Sequence, residues 1–139
     1  MKKQNTQVYS YDCSVYPTKL DIMFDINSID YMNDNYAWTN DPECKFISDD
    51  DDQYGSTYDL LYNKKTNYKT ILVVFDGIPS SPQMAHEAFH VMNGIFKSVD
   101  LEFNYSKTTG NEHLAYIIEW AVKCMCDAIE KEKKHRKKK

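Results

Sequence analysis

Two histidines and one glutamate in the stretch from Met84 to Met92 have the types and the spacing of a metal site. His86 and His90 are four residues apart, and Glu87 directly follows the first of them. On an α-helix, residues i and i+4 lie on one face about one turn apart, so both imidazoles could point at one ion. Neutral imidazole binds zinc without cancelling its charge, and Glu87 would be placed to accept a proton from water on that ion. This H-E-x-x-H pattern predicts a zinc-dependent hydrolytic site.

A helix that starts near Ser81 is expected to carry these three residues. Ser81 can cap such a helix, and Pro82 suits its first position. When successive residues are placed at 100° intervals, His86, Glu87 and His90 fall outside the apolar arc. That arc consists of Met84, Ala85, Ala88, Phe89, Val91, Met92, Ile95 and Phe96. We therefore expect the three polar side chains to face away from the core, as a cleft site requires.

The remaining periodicities predict the elements that support this helix. Leu20, Ile22 and Phe24 alternate with polar residues, which indicates a strand with one buried face, and a short helix is expected over Ile29 to Trp38. Two further strands are predicted over Tyr58–Tyr62 and Thr70–Asp76, the second central and covered on both faces because it is almost continuously apolar.

A second long helix is predicted from Asn111 to about Glu130. The predicted fold is α+β: a small domain with a short, twisted, mainly antiparallel sheet, packed on the H-E-x-x-H helix and on this C-terminal helix. With 139 residues, the chain suits one domain over residues 1–130 and a basic tail over residues 131–139.

The tail reverses the charge of the rest of the chain. It has seven Lys and Arg residues against Glu132, a local charge of +6, so the net charge of −4 leaves −10 for residues 1–130. Such a tail can contact nucleic acid or an anionic surface. Because no aromatic residues are interleaved in it for base stacking, we favour a solvated, frayed helix end over a nucleic-acid contact.

The N-terminus and the cysteines favour the cytoplasm. The first residues are polar, so neither a signal peptide nor a membrane span is expected. Cys13, Cys44, Cys124 and Cys126 are expected to be free thiols in a reducing compartment, with a disulfide between Cys13 and Cys44 as the open alternative.

A catalytic zinc ion normally has three protein ligands and an open position for water, so a third ligand is needed. The extended three-histidine pattern would need glycine and histidine where the chain has Asn93 and Phe96, and the inverted order H-x-x-E-H is absent. The remaining common solution is a carboxylate from the next helix, and Glu112, preceded by Asn111, lies 22 residues after His90.

This combination resembles the gluzincin class of zinc metallopeptidases, whose third ligand is the Glu of an Asn-Glu pair on the following helix. By that resemblance Glu112 is the third zinc ligand, Glu87 is the general base, and the substrate is a peptide or protein. The run from Glu112 to Ala115 is similar to the Glu-x-x-Ala pattern of small gluzincin-like peptidases. The order of strands and helices over residues 55–130 resembles their minimal catalytic core.

A second, looser resemblance concerns small zincin-like proteins of phages and prophages. It is carried by the run Val15–Leu20 together with Tyr116, Trp120, Lys123 and Cys124. It implies a mobile-element origin, with the protein in the host cytoplasm or the virion.

Several roles around the metal have more than one candidate. His113 and Glu119 are rival third ligands, and Tyr105 and Tyr116 are candidate donors to the oxyanion. The best-studied gluzincins have a supporting Asp where this chain has Tyr116, so Glu119 and Asp76 are the candidates for supporting the ligands. Two functions follow: a zinc peptidase, or a non-catalytic binding or virion-associated protein that keeps a zincin-like fold around a structural metal and binds a dedicated partner.

Overall fold

The computed structural model describes residues 6–13, 16–25, 29–46, 55–100 and 110–138. These ranges contain strands and helices in an α+β arrangement, as the sequence predicts. The strands are β1 (Tyr9–Asp12), β2 (Lys19–Met23), β3 (Tyr36–Trp38), β4 (Gly55–Asn63) and β5 (Lys69–Phe75). The helices are α1 (Ile29–Asn35), α2 (Ser81–Ser98) and α3 (Gly110–Lys137).

The strands form one mixed sheet in the order β1-β2-β5-β4-β3. β2 and β5 run parallel, and the other pairings are antiparallel. The predicted mainly antiparallel sheet is therefore confirmed. β5 lies between β2 and β4, and every residue from Thr70 to Phe75 is buried. The prediction of a central strand covered on both faces is also confirmed.

Each face of the sheet has its own hydrophobic core. α2 and α3 cover the first face, where Ile22, Val73 and Phe75 pack against residues of both helices. On the second face, Leu72 and Val74 pack with a cluster that is completed by Met23, Met32, Tyr36, Phe46 and Leu61. The candidate metal site belongs to α2, on the first face.

The prediction that β2 buries only one face is wrong. Asp21 and Met23 point to the second face and are as buried as Leu20 and Ile22 on the first. Asp21 accepts a hydrogen bond of 2.5 Å from the Tyr36 hydroxyl. Burial and the nearby carboxylate raise the pKa of Tyr36, which therefore keeps the proton it donates. Asp21 can be buried at this position because its carboxylate accepts the hydrogen bond from the buried Tyr36 hydroxyl.

The first helix is shorter than predicted. α1 ends at Asn35, and Tyr36–Trp38 forms β3, which pairs with the C-terminal part of β4. Pairing with a neighbouring strand thus overrides the helical interpretation of the last three residues. Asn27 and Ser28, whose side chains suit the cap of this helix, lie outside the described residues.

α2 begins one residue earlier than its predicted first turn. Its N-cap is Ser80, not Ser81, and the Ser80 side chain accepts a hydrogen bond from the backbone N–H of Gln83. The Gln83 side chain in turn accepts one of 2.8 Å from the Ser80 N–H. This reciprocal capping box fixes where the histidine-bearing helix leaves the sheet.

Gly94 lets α2 approach the sheet closely. A Cβ atom at this position would lie 2.8 Å from the Asp59 Cβ and 3.1 Å from the Ile71 Cδ1. Asp59 is on β4 and Ile71 is on β5, and neither strand can move away from α2 easily because both are paired within the sheet. We expect Gly94→Ala to lower the free energy of unfolding by about 1–3 kcal/mol. Chemical denaturation measures this, with Asn93→Ala as a control that should change stability by less than about 0.5 kcal/mol; equal losses would contradict close packing at Gly94.

α3 continues beyond its predicted end at Glu130 and reaches Lys137. β1 holds this part of the helix: Tyr9 donates a hydrogen bond of 2.8 Å to the buried Glu132, and Tyr11 donates one of 2.7 Å to Asp127. The basic tail is therefore helical as far as Lys137, longer than predicted, and its Lys and Arg side chains in that range are exposed, as expected for a solvated helix end. The reason for the greater length is a polar contact between chain ends far apart in sequence, which periodicity does not reveal.

Candidate metal centre

The two histidines meet on the solvent side of α2. Their Nε2 atoms are 3.2 Å apart and their ring centroids 4.9 Å apart. Both side chains are exposed, with 69% of the His86 side chain accessible to solvent. Two nitrogen ligands of a tetrahedral zinc ion, each about 2.0–2.1 Å from the metal, lie about 3.3 Å from each other. The spacing of the two nitrogen atoms therefore matches that of two ligands of such an ion.

Glu87 lies beside this pair, but in a different environment from the one predicted. It is 5% exposed, facing β4 instead of solvent. One carboxylate oxygen, Oε2, accepts a hydrogen bond from the Thr57 hydroxyl. The other oxygen, Oε1, lies 4.0 Å from the His86 Nε2. The carboxylate is thus held by the strand on one side and directed at the imidazole pair on the other.

The prediction that Glu87 faces away from the core is wrong, because α2 is rotated toward β4 and its buried side therefore differs from the apolar arc seen in the sequence. Glu87 and Gly94 are buried, whereas Ala85 and Phe89 are exposed. Two polar contacts set this rotation: Thr57 with Glu87, and the Lys97 Nζ with the Asp59 carboxylate at 3.2 Å. A side chain placed on the polar side of the wheel is therefore buried, with its second oxygen still facing the histidines.

Thr57 is the residue of this site that the sequence interpretation missed. The predicted strand began at Tyr58, whereas β4 begins at Gly55 and places Thr57 opposite Val73 of β5. Alternation along β4 puts Thr57 and Asp59 on the face that α2 covers. A strand extended by three residues toward its N-terminus would have pointed to a hydroxyl under the helix.

The predicted third ligand, Glu112, is an exposed residue in the first turn of α3. Among the described residues, no group of three or more His, Cys, Asp or Glu side chains is arranged to hold a metal ion. His86, His90 and Glu87 lie close together without forming such a group, and Glu112 does not join them. The first turn of α3 instead packs beside Phe96, six residues after His90 in the chain, where the His113 ring lies 5.8 Å from the Phe96 ring. Glu112 as a ligand stays a prediction.

The residues predicted as rival ligands, supporting residues or oxyanion donors have the following contacts and exposure. The His113 Nε2 is 2.5 Å from the Tyr16 hydroxyl, and Glu119 forms an ion pair of 3.2 Å with Lys123. Asp76 is exposed, and Tyr116 is 63% exposed. Tyr105 lies outside the described residues.

An exposed aromatic ring accompanies the histidines. Phe89 is 51% exposed, and its centroid lies 6.2 Å from that of His90. Large apolar side chains on a surface are uninformative singly, but this one stands beside the candidate ligands. It offers an apolar contact to whatever approaches the pair.

The cysteines do not contribute to the site. All four are free thiols in the structure. Cys124 is buried in the core between α3 and its neighbours, and burial raises the pKa of its thiol to about 12. A thiol with this pKa is a poor metal ligand at neutral pH, because metals bind the thiolate.

Comparison with known proteins adds no family to these observations. None of the helices in the described part of the chain combines the length and the apolar character needed to cross a bilayer. No protein-family model matches the sequence, and neither the curated proteins nor the solved structures contain a match to it.

Proposed function

We propose that this protein is a zinc-dependent peptidase that uses His86 and His90 as metal ligands and Glu87 as its general base. The observation that carries the proposal is the convergence of the two Nε2 atoms, 3.2 Å apart, with the Glu87 Oε1, 4.0 Å from the first of them. The donor set has the nitrogen chemistry that zinc prefers, and the open side of the pair is accessible to a substrate.

The residues of the chain divide the work between them. A zinc ion held by the two histidines, with Glu112 as the third ligand implied by the gluzincin resemblance, would supply the positive charge that polarises a scissile carbonyl and acidifies a water molecule. Glu87 accepts a proton from the attacking water as the new C–O bond forms. It then delivers that proton to the leaving amine as the C–N bond breaks. Thr57 keeps the carboxylate in place through its other oxygen.

The second candidate is a binding protein in which the metal is structural. Phe89, exposed beside His90, favours a protein partner that covers the histidine pair, because aromatic side chains are enriched in the buried centres of interfaces. The four free thiols support a reducing compartment, the cytoplasm, for either function.

Removing the metal tests the first candidate against the second. We expect the purified protein, loaded with zinc, to cleave members of a broad peptide library, and a chelator to lower the rate by more than about 100-fold, because the open metal position supplies the water. Added zinc should restore the rate. Mass spectrometry of the products measures cleavage directly. Zinc bound at one equivalent without any cleavage would contradict the peptidase proposal and favour the structural-metal function.

A further inference from the structure

The end of α3 and the residue that follows it carry a lysine cluster, defined here as Lys133, Lys134, Lys137 and Lys138. All four side chains are exposed. Lys133 and Lys137 lie one helical turn apart, and Lys138, in the turn that follows the helix, comes four residues after Lys134, so the four lysines lie on one side of this end of the chain. This surface is presented by a helix that β1 holds through Tyr9, so the cluster has a fixed position on the domain.

The carboxylates near this cluster neutralise it only in part: Glu130, one turn before Lys134, offsets one of its four charges without forming an ion pair. Asp127 forms an ion pair with Lys131 at 2.9 Å, and Glu132 is bound by Arg136 at 3.2 Å and by Tyr9. In the parts of the chain that the structure covers, the four lysines of the cluster form no ion pair, although Lys134 contributes to lowering the pKa of Asp127. Like charges one turn apart repel one another, and the C-terminal helix dipole offsets this only in part. The cluster is therefore a surface that a polyanion would stabilise.

The chemistry of the neighbouring surface selects among polyanions. Apolar residues at this end of α3, Ala128 and Ile129, are buried, and the exposed residues over 130–138 are charged. A helix without an exposed apolar face cannot insert into the acyl region of a membrane. The cluster also lacks aromatic rings on which unpaired bases could stack. What remains is attraction to an array of phosphates. An anionic membrane surface attracts each lysine by about 1 kcal/mol without insertion, whereas a nucleic-acid duplex presents about one charge per 1.7 Å of its axis, the denser array that four closely spaced lysines favour.

We propose that the lysine cluster is a sequence-independent contact surface for the phosphate backbone of duplex nucleic acid. Residues 1–130 carry a net charge of −10 and repel the same duplex, so contact is confined to the end of α3. The surface reads no bases, because phosphate contacts position a protein without conveying sequence. Zinc and Glu87 play no part in it, so it stands independently of the proposed peptidase function.

Fluorescence anisotropy with a labelled DNA duplex of mixed sequence, in the presence of a chelator, tests this surface. We expect binding that weakens by about 100-fold between about 50 and about 200 mM salt, as release of counterions by four contacts requires. The variant K133Q/K134Q/K137Q/K138Q should lose binding by more than about 10-fold, with a salt dependence that nearly disappears. Glutamine keeps the helix propensity of lysine, and circular dichroism checks that α3 remains folded.

A matched variant separates the cluster from net charge. K45Q/K64Q/K65Q/K123Q changes the charge equally at lysines elsewhere on the surface, and it should bind as the native protein does. Equal weakening in both variants would overturn the proposal, as would binding that is insensitive to salt. Binding to vesicles of anionic lipid but not to the duplex, or salt-sensitive self-association without duplex binding, would also overturn it.

Discussion

Glu87→Gln is expected to lower kcat for peptide hydrolysis by about 100-fold to 10,000-fold while zinc binding is retained. Glutamine has the shape of glutamate and can still accept the hydrogen bond from Thr57, so the side chain should keep its position between α2 and β4. It cannot accept a proton from water at neutral pH. The loss therefore falls on the chemical step, and KM should change far less than kcat.

The control is Glu130→Gln, which removes the same charge from an exposed position on α3. Zinc content measured by metal analysis and kcat measured on one library-derived peptide should both match the native protein. The general-base role is wrong if Glu87→Gln hydrolyses the peptide at the native rate with zinc bound. If instead the zinc is lost, Glu87 would have to be reassigned from base to ligand.

Replacing either His86 or His90 by alanine is expected to weaken zinc binding by more than about 100-fold. Loss of a residue that merely supports a metal ligand already costs about 10-fold to 100-fold in affinity, and loss of the ligand itself should cost more. Both side chains are exposed, so their removal leaves the core intact. Competition with a chromophoric zinc chelator measures the affinity, and thermal unfolding without metal should be unchanged.

His135→Ala is the matched control for these variants, since it removes an imidazole from a different helix, in the last turns of α3. It should bind zinc as tightly as the native protein. Equal zinc affinity in all three alanine variants would place the metal elsewhere and would leave the histidine pair as a polar helix surface.

The local features of the fold could be predicted from the sequence wherever one residue pattern had one explanation. The almost continuous apolar run of β5 required burial on both faces. Ser81 and Pro82 predicted the start of α2 to within one residue. By contrast, Asp21 looked like a solvent-facing position in an alternating strand. Only the approach of Tyr36, from a strand that sequence patterns assigned to a helix, makes its burial acceptable.

The candidate site also combines features that the sequence predicts with features that depend on distant contacts. The four-residue spacing of His86 and His90 determines that they meet, because helical geometry alone brings them together. The burial of Glu87 depends on how α2 is rotated against β4, and this depends on Gly94 and Thr57, whose partners are distant in sequence. A third ligand depends on the relative placement of two helices, which no local pattern determines. Glu112 accordingly rests on the gluzincin resemblance and on its spacing from His90.

The same limit applied to the end of the chain. Charge alone identified residues 131–139 as distinctive, but the helical presentation of the lysine cluster depends on the contact of Glu132 with Tyr9, more than a hundred residues away. The same basic sequence could form a flexible tail or an ordered helical surface. They differ in whether the charges keep fixed positions relative to one another.

The most direct test of the proposed metal centre is a crystal structure of the zinc-loaded protein. We predict one zinc ion about 2.0–2.1 Å from the Nε2 atoms of His86 and His90, with a Glu112 carboxylate oxygen as the third ligand and a water molecule in the fourth position. That water should lie within hydrogen-bond reach of the Glu87 Oε1. Zinc bound away from the two histidines, or enclosed by four protein ligands with no position for water, would contradict the proposed peptidase site.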